Sequence, residues 1–482
     1  MTLPAPAGPS SFRGKVAREA VPAEVPPPAS PSSFRGKVAR EARRLCVRPR
    51  QGLPPCGGRW HSEAVTDEGD IHNTSSILIK HSSINMTINH TLTEPIAPWP
   101  FFADDEKQAA LDVLTSGKVN YWTGTVCREF EKEFANYCGR KYGIALANGS
   151  LALELALIAY DIGEGDEVIV TCRSFMASAS CIIMRGATPV FADIDLDSQN
   201  ISPASIIKKI TPKTKAIICV HLAGWPCDMD AINAIAKEHN LRVIEDCAQA
   251  HGAKYHGKQV GSLGDVAAFS FCQDKIMTCG GEGGMFVSDD EETYKKCWSY
   301  TEHGKSLDAL ARKDHPVGFH WLIESFGTNW RMTEMQAAIG RLQLKKLDSW
   351  VEARRSNAHK LTEALKDIKC IRIPEPDSSI EHSYYKYYIM VRPEMLKEGW
   401  NRDRILTEIG KTGLNVGVGA CGEMYMEKAF KKYFNTETPE RLPNAVCVGD
   451  TTLMFQVHPT LTNQNITDAI TIIKDVLEQA SL

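Results

Sequence analysis

The segment GDVAAFSFCQDKIMTCGGEGGMFVSDD, residues 264–290, holds the most instructive order of residue types in the chain. Val266–Phe271 is an unbroken apolar run of strand length, and Met285–Ser288 is a second one. Such runs mark strands covered on both faces, as in a parallel sheet sandwiched between helices. Lys275 falls just past the first run, five residues after Ser270, and Cys279-Gly280-Gly281-Glu282-Gly283-Gly284 follows. A lysine at the end of a buried strand can be partly desolvated, which lowers its pKa and frees the amine as nucleophile or base. The plainer alternative is a surface lysine in a loop, with the glycines closing a hairpin.

Working outward, the same short apolar runs recur at Gly143–Ala147, Glu167–Thr171, Pro189–Ala192, Ala216–His221 and Arg242–Glu245. Helical stretches separate several of them, among them Leu151–Tyr160, Ala177–Met184 and Asp230–Glu238. Alternating strand and helix predicts an α/β architecture with a mostly parallel sheet flanked by helices. Upstream, Asp104–Leu114 reads as a helix with Ala109, Leu111 and Leu114 on its apolar face. A second helix places Phe130, Phe134 and Tyr137 at i, i+4 and i+7 on one buried face. Beyond about residue 345 longer charged helices (Leu344–Leu365) give way to a mixed α/β tail. The expected organisation is therefore a large domain over 96–349 and a smaller C-terminal α/β domain over 350–482.

Residues 1–95 differ in kind. Residues 1–50 hold ten Lys/Arg against three Glu, and Pro9–Ala20 (PSSFRGKVAREA) recurs as Pro31–Ala42. Two copies are too few for a solenoid, and the Pro-rich, apolar-poor composition predicts disorder. A targeting peptide or basic interaction arm competes with the preferred reading, an upstream extension to a chain whose start lies near Met86. The sequons at Asn73, Asn85 and Asn89 are read as chance.

Composition narrows the function classes. The 482 residues are 43% hydrophobic and 24% charged, with a formal net charge of −4. That balance gives no overall basic field for nucleic acid, and no apolar run is long enough to span a membrane. Fifteen cysteines, without a C-x-x-C pair, argue against both a disulfide framework and a zinc cluster. The expectation is a cytoplasmic enzyme that carries no metal.

Two further features join Lys275. The turn Ala147-Asn148-Gly149-Ser150 lies between a strand and a helix, where converging N–H groups and the helix N-terminus form an anion cradle. Glu245-Asp246 ends another strand, at the sheet edge where open α/β sheets bind ligands. Taken on its own, Asp246 reads more readily as an ordinary helix N-cap for the next segment. An anion cradle, a carboxylate and an amine at one sheet edge are the parts needed for pyridoxal 5'-phosphate (PLP).

The order and spacing of the motifs resemble the DegT/DnrJ/StrS family of PLP-dependent sugar aminotransferases, a fold-type-I group. The matching stretches include FEKEFANYCGRKYGIALANGSLALELAL (130–157), HLAGWPCDMDAI (221–232), VIEDCAQAHGA (243–253), residues 264–290 and GTNWRMTEMQAAIGRLQLKKLD (327–348). The resemblance implies that Lys275 links covalently to PLP, that Asp246 pairs with the ring nitrogen and that Gln249 lies beside the ring's phenolic oxygen. It implies that Gly149, Ser150, Leu151 and Ser270 hold the phosphate and that Phe175 stacks on the cofactor. Asn329 would reach the phosphate in a neighbouring subunit, so a homodimer with shared active sites is implied. Tyr121, Trp122 and Arg331 fall in regions that line substrate in relatives, although packing or a dimer contact explains each equally well. The implied reaction moves an amino group from an amino acid, L-glutamate, to a nucleotide-linked keto-sugar in amino-sugar and polysaccharide biosynthesis. A PLP-dependent sugar dehydratase, which carries His at the lysine position, and a non-catalytic sugar-sensing homologue are the competing readings.

Overall fold

The computed structural model describes residues 90–314, 318 and 320–482. The duplicated segment and the three sequons lie outside the described residues.

Seven strands form the main sheet: β1 (Tyr142–Leu146), β2 (Glu167–Thr171), β3 (Thr188–Ala192), β4 (Thr214–Val220), β5 (Arg242–Asp246) and, after the short β6 (Lys254–Tyr255) and β7 (Lys258–Gln259), β8 (Val266–Ser270) and β9 (Gly284–Ser288). Their order is β1-β9-β8-β5-β4-β2-β3. Pairings β3–β2, β2–β4, β4–β5 and β5–β8 are parallel, and β9 alone runs against its neighbours. Both β8 and β9 are buried at every position, as uninterrupted apolar runs require. The glycine-rich run therefore does connect an antiparallel pair, and Lys275 lies within that connection.

Helix α1 (Asp104–Ser116) opens on three acidic residues and ends at Gly117, whose φ of 67° suits a residue without Cβ. The expected apolar face is only partly correct: Leu111 and Leu114 are exposed, while Val113 and Glu106 are buried. The helix packs on the long helix Glu334–Leu365, where Lys346 lies 3.2 Å from Glu106 and makes its burial tolerable. In α2 (Val126–Cys138) Phe130 and Phe134 are buried as expected, and Tyr137 donates from its hydroxyl to Asp348 at 2.7 Å. Helices α3 (Gly149–Ala159) and α4 (Ala177–Met184) cover the sheet behind the site.

The helix expected from Leu344 begins ten residues earlier, at Glu334. Thr333 and Gln336 form a capping box there, with the Thr333 hydroxyl accepting from the Gln336 N–H. The helix runs through position 350 to Leu365 without a break. Beyond it, β10 (Ile371–Arg372), β12 (Tyr387–Val391), β13 (Val416–Gly417) and β14 (Thr452–Phe455) form an antiparallel sheet ordered β10-β12-β14-β13, while β11 (Ile380–Glu381) pairs with β6. This second sheet has its own core, including Leu361, Ile389, Leu453 and Ile473. Leu92 and Ile96 pack against that core, and both the N–H and the hydroxyl of Thr93 donate to Asp468 at 2.7 Å. Packing thus reaches further towards the N terminus than the composition suggested. No helix among the described residues is long and apolar enough to cross a membrane.

Candidate active site

A cavity of about 920 Å3 opens where the carboxyl ends of the central strands meet the residues preceding β12. Gly149, Ser150, Leu151, Phe175, Asp246, Gln249, Ser270 and Lys275 all line it, so the topology brings together eight of the nine residues singled out from sequence. Asn329 does not line the cavity of its own chain.

The cradle follows from the β1–α3 turn. The Asn148 side chain caps α3 by accepting from the Leu151 N–H at 3.0 Å, which presents Gly149 and Ser150 at the helix N-terminus. A Cβ on Gly149 would lie 2.6 Å from the Cβ of Ser270, and one on Gly284 would lie 2.3 Å from the Asn148 carbonyl oxygen. Only glycine permits this approach. The dipole and hydroxyls fit a phosphate.

Asp246 is the last residue of β5 and is buried. Its carboxylate accepts from the Ser178 hydroxyl at 2.7 Å and the Ala248 N–H at 3.1 Å. No helix starts after it, so it is not an N-cap; it forms part of the cavity wall. Burial raises its pKa, opposed by the Ser178 and Ala248 hydrogen bonds and by His221 and Lys275. A cationic ring nitrogen would supply the missing counter-charge. Gln249 is fixed by accepting from the Ala223 N–H at 2.9 Å. Phe175 lines the cavity and is 68% exposed, free to cover a planar ligand. The residues present therefore fit PLP.

Lys275 Nζ lies 3.3 Å from Asp274 and 3.4 Å from the Tyr385 hydroxyl, which in turn donates to Asp274. Burial would raise the Asp274 pKa, but Lys275, the Tyr385 hydroxyl and Lys386 outweigh it and hold it below the usual range. The Lys275 carbonyl accepts from the Trp99 indole at 2.9 Å. Sequence reasoning missed Ser178, Asp274, Tyr385, Lys386 and Trp99. Asp274 was detectable as the neighbour of Lys275, and Ser178 as a polar residue in the first turn of α4. Tyr385 and Lys386 sit in the tail that the sequence marks only as mixed α/β.

Behind Asp246, His221 Nε2 lies 3.0 Å from Glu245, and His221 Nδ1 accepts from the Cys227 N–H at 3.0 Å. Glu245 also accepts from the N–H groups of Gly261, Leu263 and Gly264. Both imidazole nitrogens are engaged, so His221 and Glu245, though within metal-ligand reach of each other and of Cys247, form a hydrogen-bonded latch between the end of β4 and β5. Despite burial, the pair stabilises its own charges: His221 is raised and Glu245 lowered.

Trp122, Arg331 and Asn329 gather elsewhere, around the buried Glu302. Its carboxylate accepts from the Trp122 indole at 2.8 Å and from Arg331 at 2.7 Å, and Asn329 bridges to its backbone. Tyr121 stands beside them, its hydroxyl accepting from the Trp298 indole at 3.1 Å. None of these residues lines the cavity.

Comparisons with known proteins agree with the geometry. An aminotransferase from Psychrobacter cryohalolentis of known structure is 50% identical, covering 80% of this chain and all of that one with a TM-score of 0.78. Spr1654 from Streptococcus pneumoniae, solved in a PLP-form, is 26% identical over 80% of this chain and 99% of that one, with a TM-score of 0.69. The dTDP-3-amino-3,6-dideoxy-alpha-D-galactopyranose transaminase of Aneurinibacillus thermoaerophilus is 43% identical over 59% of this chain and 75% of its own length. The model of the DegT/DnrJ/EryC1/StrS aminotransferase family matches residues 101–474. With that match over most of its length, the chain belongs to the DegT/DnrJ/EryC1/StrS aminotransferase family.

Proposed function

We propose that the protein is a PLP-dependent aminotransferase that takes an amino group from L-glutamate and gives it to a nucleotide-linked keto-sugar. The observation that carries this reading is the convergence of Lys275, Asp246 and the Gly149 cradle on one cavity. When bound, the cofactor supplies an electron sink for the donor's α-carbon. Lys275 Nζ is the group within reach to hold the cofactor and then carry the proton from the donor α-carbon, as general base and acid. Asp246 keeps a ring nitrogen protonated, Ser178 orients Asp246, and Ser150 and Ser270 bind phosphate. The sugar-nucleotide acceptor is supported by the transaminase from Aneurinibacillus, whose name specifies one. A lysine at position 275 favours amino transfer over dehydration.

The reading extends to a homodimer with shared sites. Phe326, Trp321 and Ile323 are 99%, 76% and 60% exposed in the single chain, and they lie close in sequence to Asn329. An apolar patch of this kind suits a subunit contact, which would carry Asn329 towards a partner's phosphate cradle. Thirteen cysteines among the described residues, all free, suit a reducing cytoplasm. Residues 96–349 would form the cofactor-binding domain and 350–482 the smaller one.

The test is a yellow purified protein, reduced with borohydride and mapped by mass spectrometry. The expected adduct is on Lys275, and L-glutamate should bleach the visible band of the unreduced protein. An adduct elsewhere, or none, overturns the proposal.

A further inference from the structure

The cavity holds a second amine to which the reaction above gives no task. Lys386 lines it from the start of the segment that becomes β12, and its Nζ donates to the neutral Gln456 side chain at 2.9 Å. No carboxylate among the described residues comes within 4.0 Å of it, although Lys386 is half-buried. Burial is the main cause that pushes its pKa down to about 8; Asp274 opposes this, and Arg354 and Lys275 add to it. Behind it, Arg354 is 1% exposed and makes no ion pair among the described residues. Only its Nη1 is engaged, by the Tyr384 and Tyr385 carbonyls, and its Nε and Nη2 are buried without partners. The one carboxylate between these cations, Asp274, is already held by Lys275 and the Tyr385 hydroxyl. Buried charge without a counter-ion is costly. This end of the cavity is therefore short of an anion.

The position of Lys386 identifies the anion. Lys275 Nζ and Lys386 Nζ lie 5.0 and 4.7 Å from the centre of the same Tyr385 ring, so both amines border that one ring. In an amino-acid donor the carboxylate is one bond from the carbon that reacts at Lys275. In a sugar nucleotide the phosphates are separated from the reacting carbon by the sugar ring. A cation that borders the same ring as the reacting amine, in the same cavity, matches the first arrangement. We propose that Lys386 receives the α-carboxylate of the amino-acid donor, with Arg354 reinforcing the positive field from behind. This rests on the aminotransferase reading above and extends it to the donor subsite.

The experiment follows bleaching of the visible band of holoenzyme by L-glutamate in the native protein, Lys386→Met and Lys386→Arg. Propylamine, which has no carboxylate, serves as the control amine. The half-saturating concentration of glutamate should rise about tenfold or more in Lys386→Met, the effect of losing one charge-assisted hydrogen bond. Most of it should return in Lys386→Arg, while the propylamine reaction stays the same in all three. Equal glutamate half-saturation in Lys386→Met overturns the proposal, as does a parallel loss with propylamine. Weakened inhibition by a nucleoside diphosphate with unchanged glutamate saturation would assign the anion to phosphate and also overturn it. If glutamate fails to bleach the native protein while borohydride still marks Lys275, the donor reading itself fails, and this proposal falls with it.

Discussion

The Ser178 hydroxyl donates to Asp246 at 2.7 Å, tying the first turns of α4 to the end of β5. This bond is one of the few influences that offset the burial of that carboxylate. Ser178→Ala should raise the Asp246 pKa further, so the acid limb of the pH–rate profile should move to higher pH with cofactor content unchanged. Asp246→Asn should keep the fold but slow turnover at least about a hundredfold. Steady-state rates from pH 5 to 9, with circular dichroism as the folding control, check both; an unmoved acid limb would remove the role given to Ser178.

Tyr385 contacts both Lys275 and Asp274. Tyr385→Phe keeps the ring that both amines border and removes only the hydroxyl. The expected outcome is a fall in kcat of about tenfold, in keeping with the loss of a hydrogen bond to charged groups, with little change in glutamate half-saturation. Single-turnover bleaching separates the two quantities.

Gly149→Ala tests the cradle. The added methyl would meet the Ser270 Cβ at 2.6 Å, and overpacking of this kind typically costs about 1–3 kcal/mol. Weaker PLP binding, by about tenfold or more, is expected in a titration of cofactor-free protein. Affinity equal to that of the native protein would place the phosphate elsewhere.

Glu245→Gln breaks the buried pair with His221 and should destabilise the protein by about 3 kcal/mol. Because Glu245 is lowered in the folded protein, its contribution is present above the ordinary value of 4.5 and lost as pH falls through the folded value. His221 is raised, so its contribution is full below 6.5 and lost as pH rises through the folded value. The difference between native protein and variant should therefore be largest between about pH 4.5 and 6.5. Urea unfolding across that range measures it.

The strands were legible because both faces of the main sheet are covered, leaving consecutive apolar residues such as those of β8 as an unmistakable mark. The exposed face of α1 was misread because Leu111 and Leu114 carry the helical period of a buried stripe while pointing outward, and one sequence does not distinguish a core from a surface that another chain could cover. The start of the long helix was missed because its signal is local chemistry at Thr333 and Gln336, not periodicity. Within the site, Lys275, Asp246 and the Gly149 turn were readable since each follows a strand that delivers it to the same edge. Tyr385 and Lys386 were not, because they reach the cavity from a segment more than a hundred residues away, and no spacing rule connects them to Lys275.

Gly284 on the reversed strand β9 pairs with Leu146 on one side and with Ser270 on the other. Ser270 and the strand end that leads into the Gly149–Ser150 turn are thus rungs of one ladder, laced from both flanks. Their separation cannot breathe unless main-chain bonds part, so the cradle behaves as a fixed socket. Whatever adjustment two unlike substrates demand in turn must come from the Tyr385 side of the cavity, which no rung of that ladder ties to the cradle.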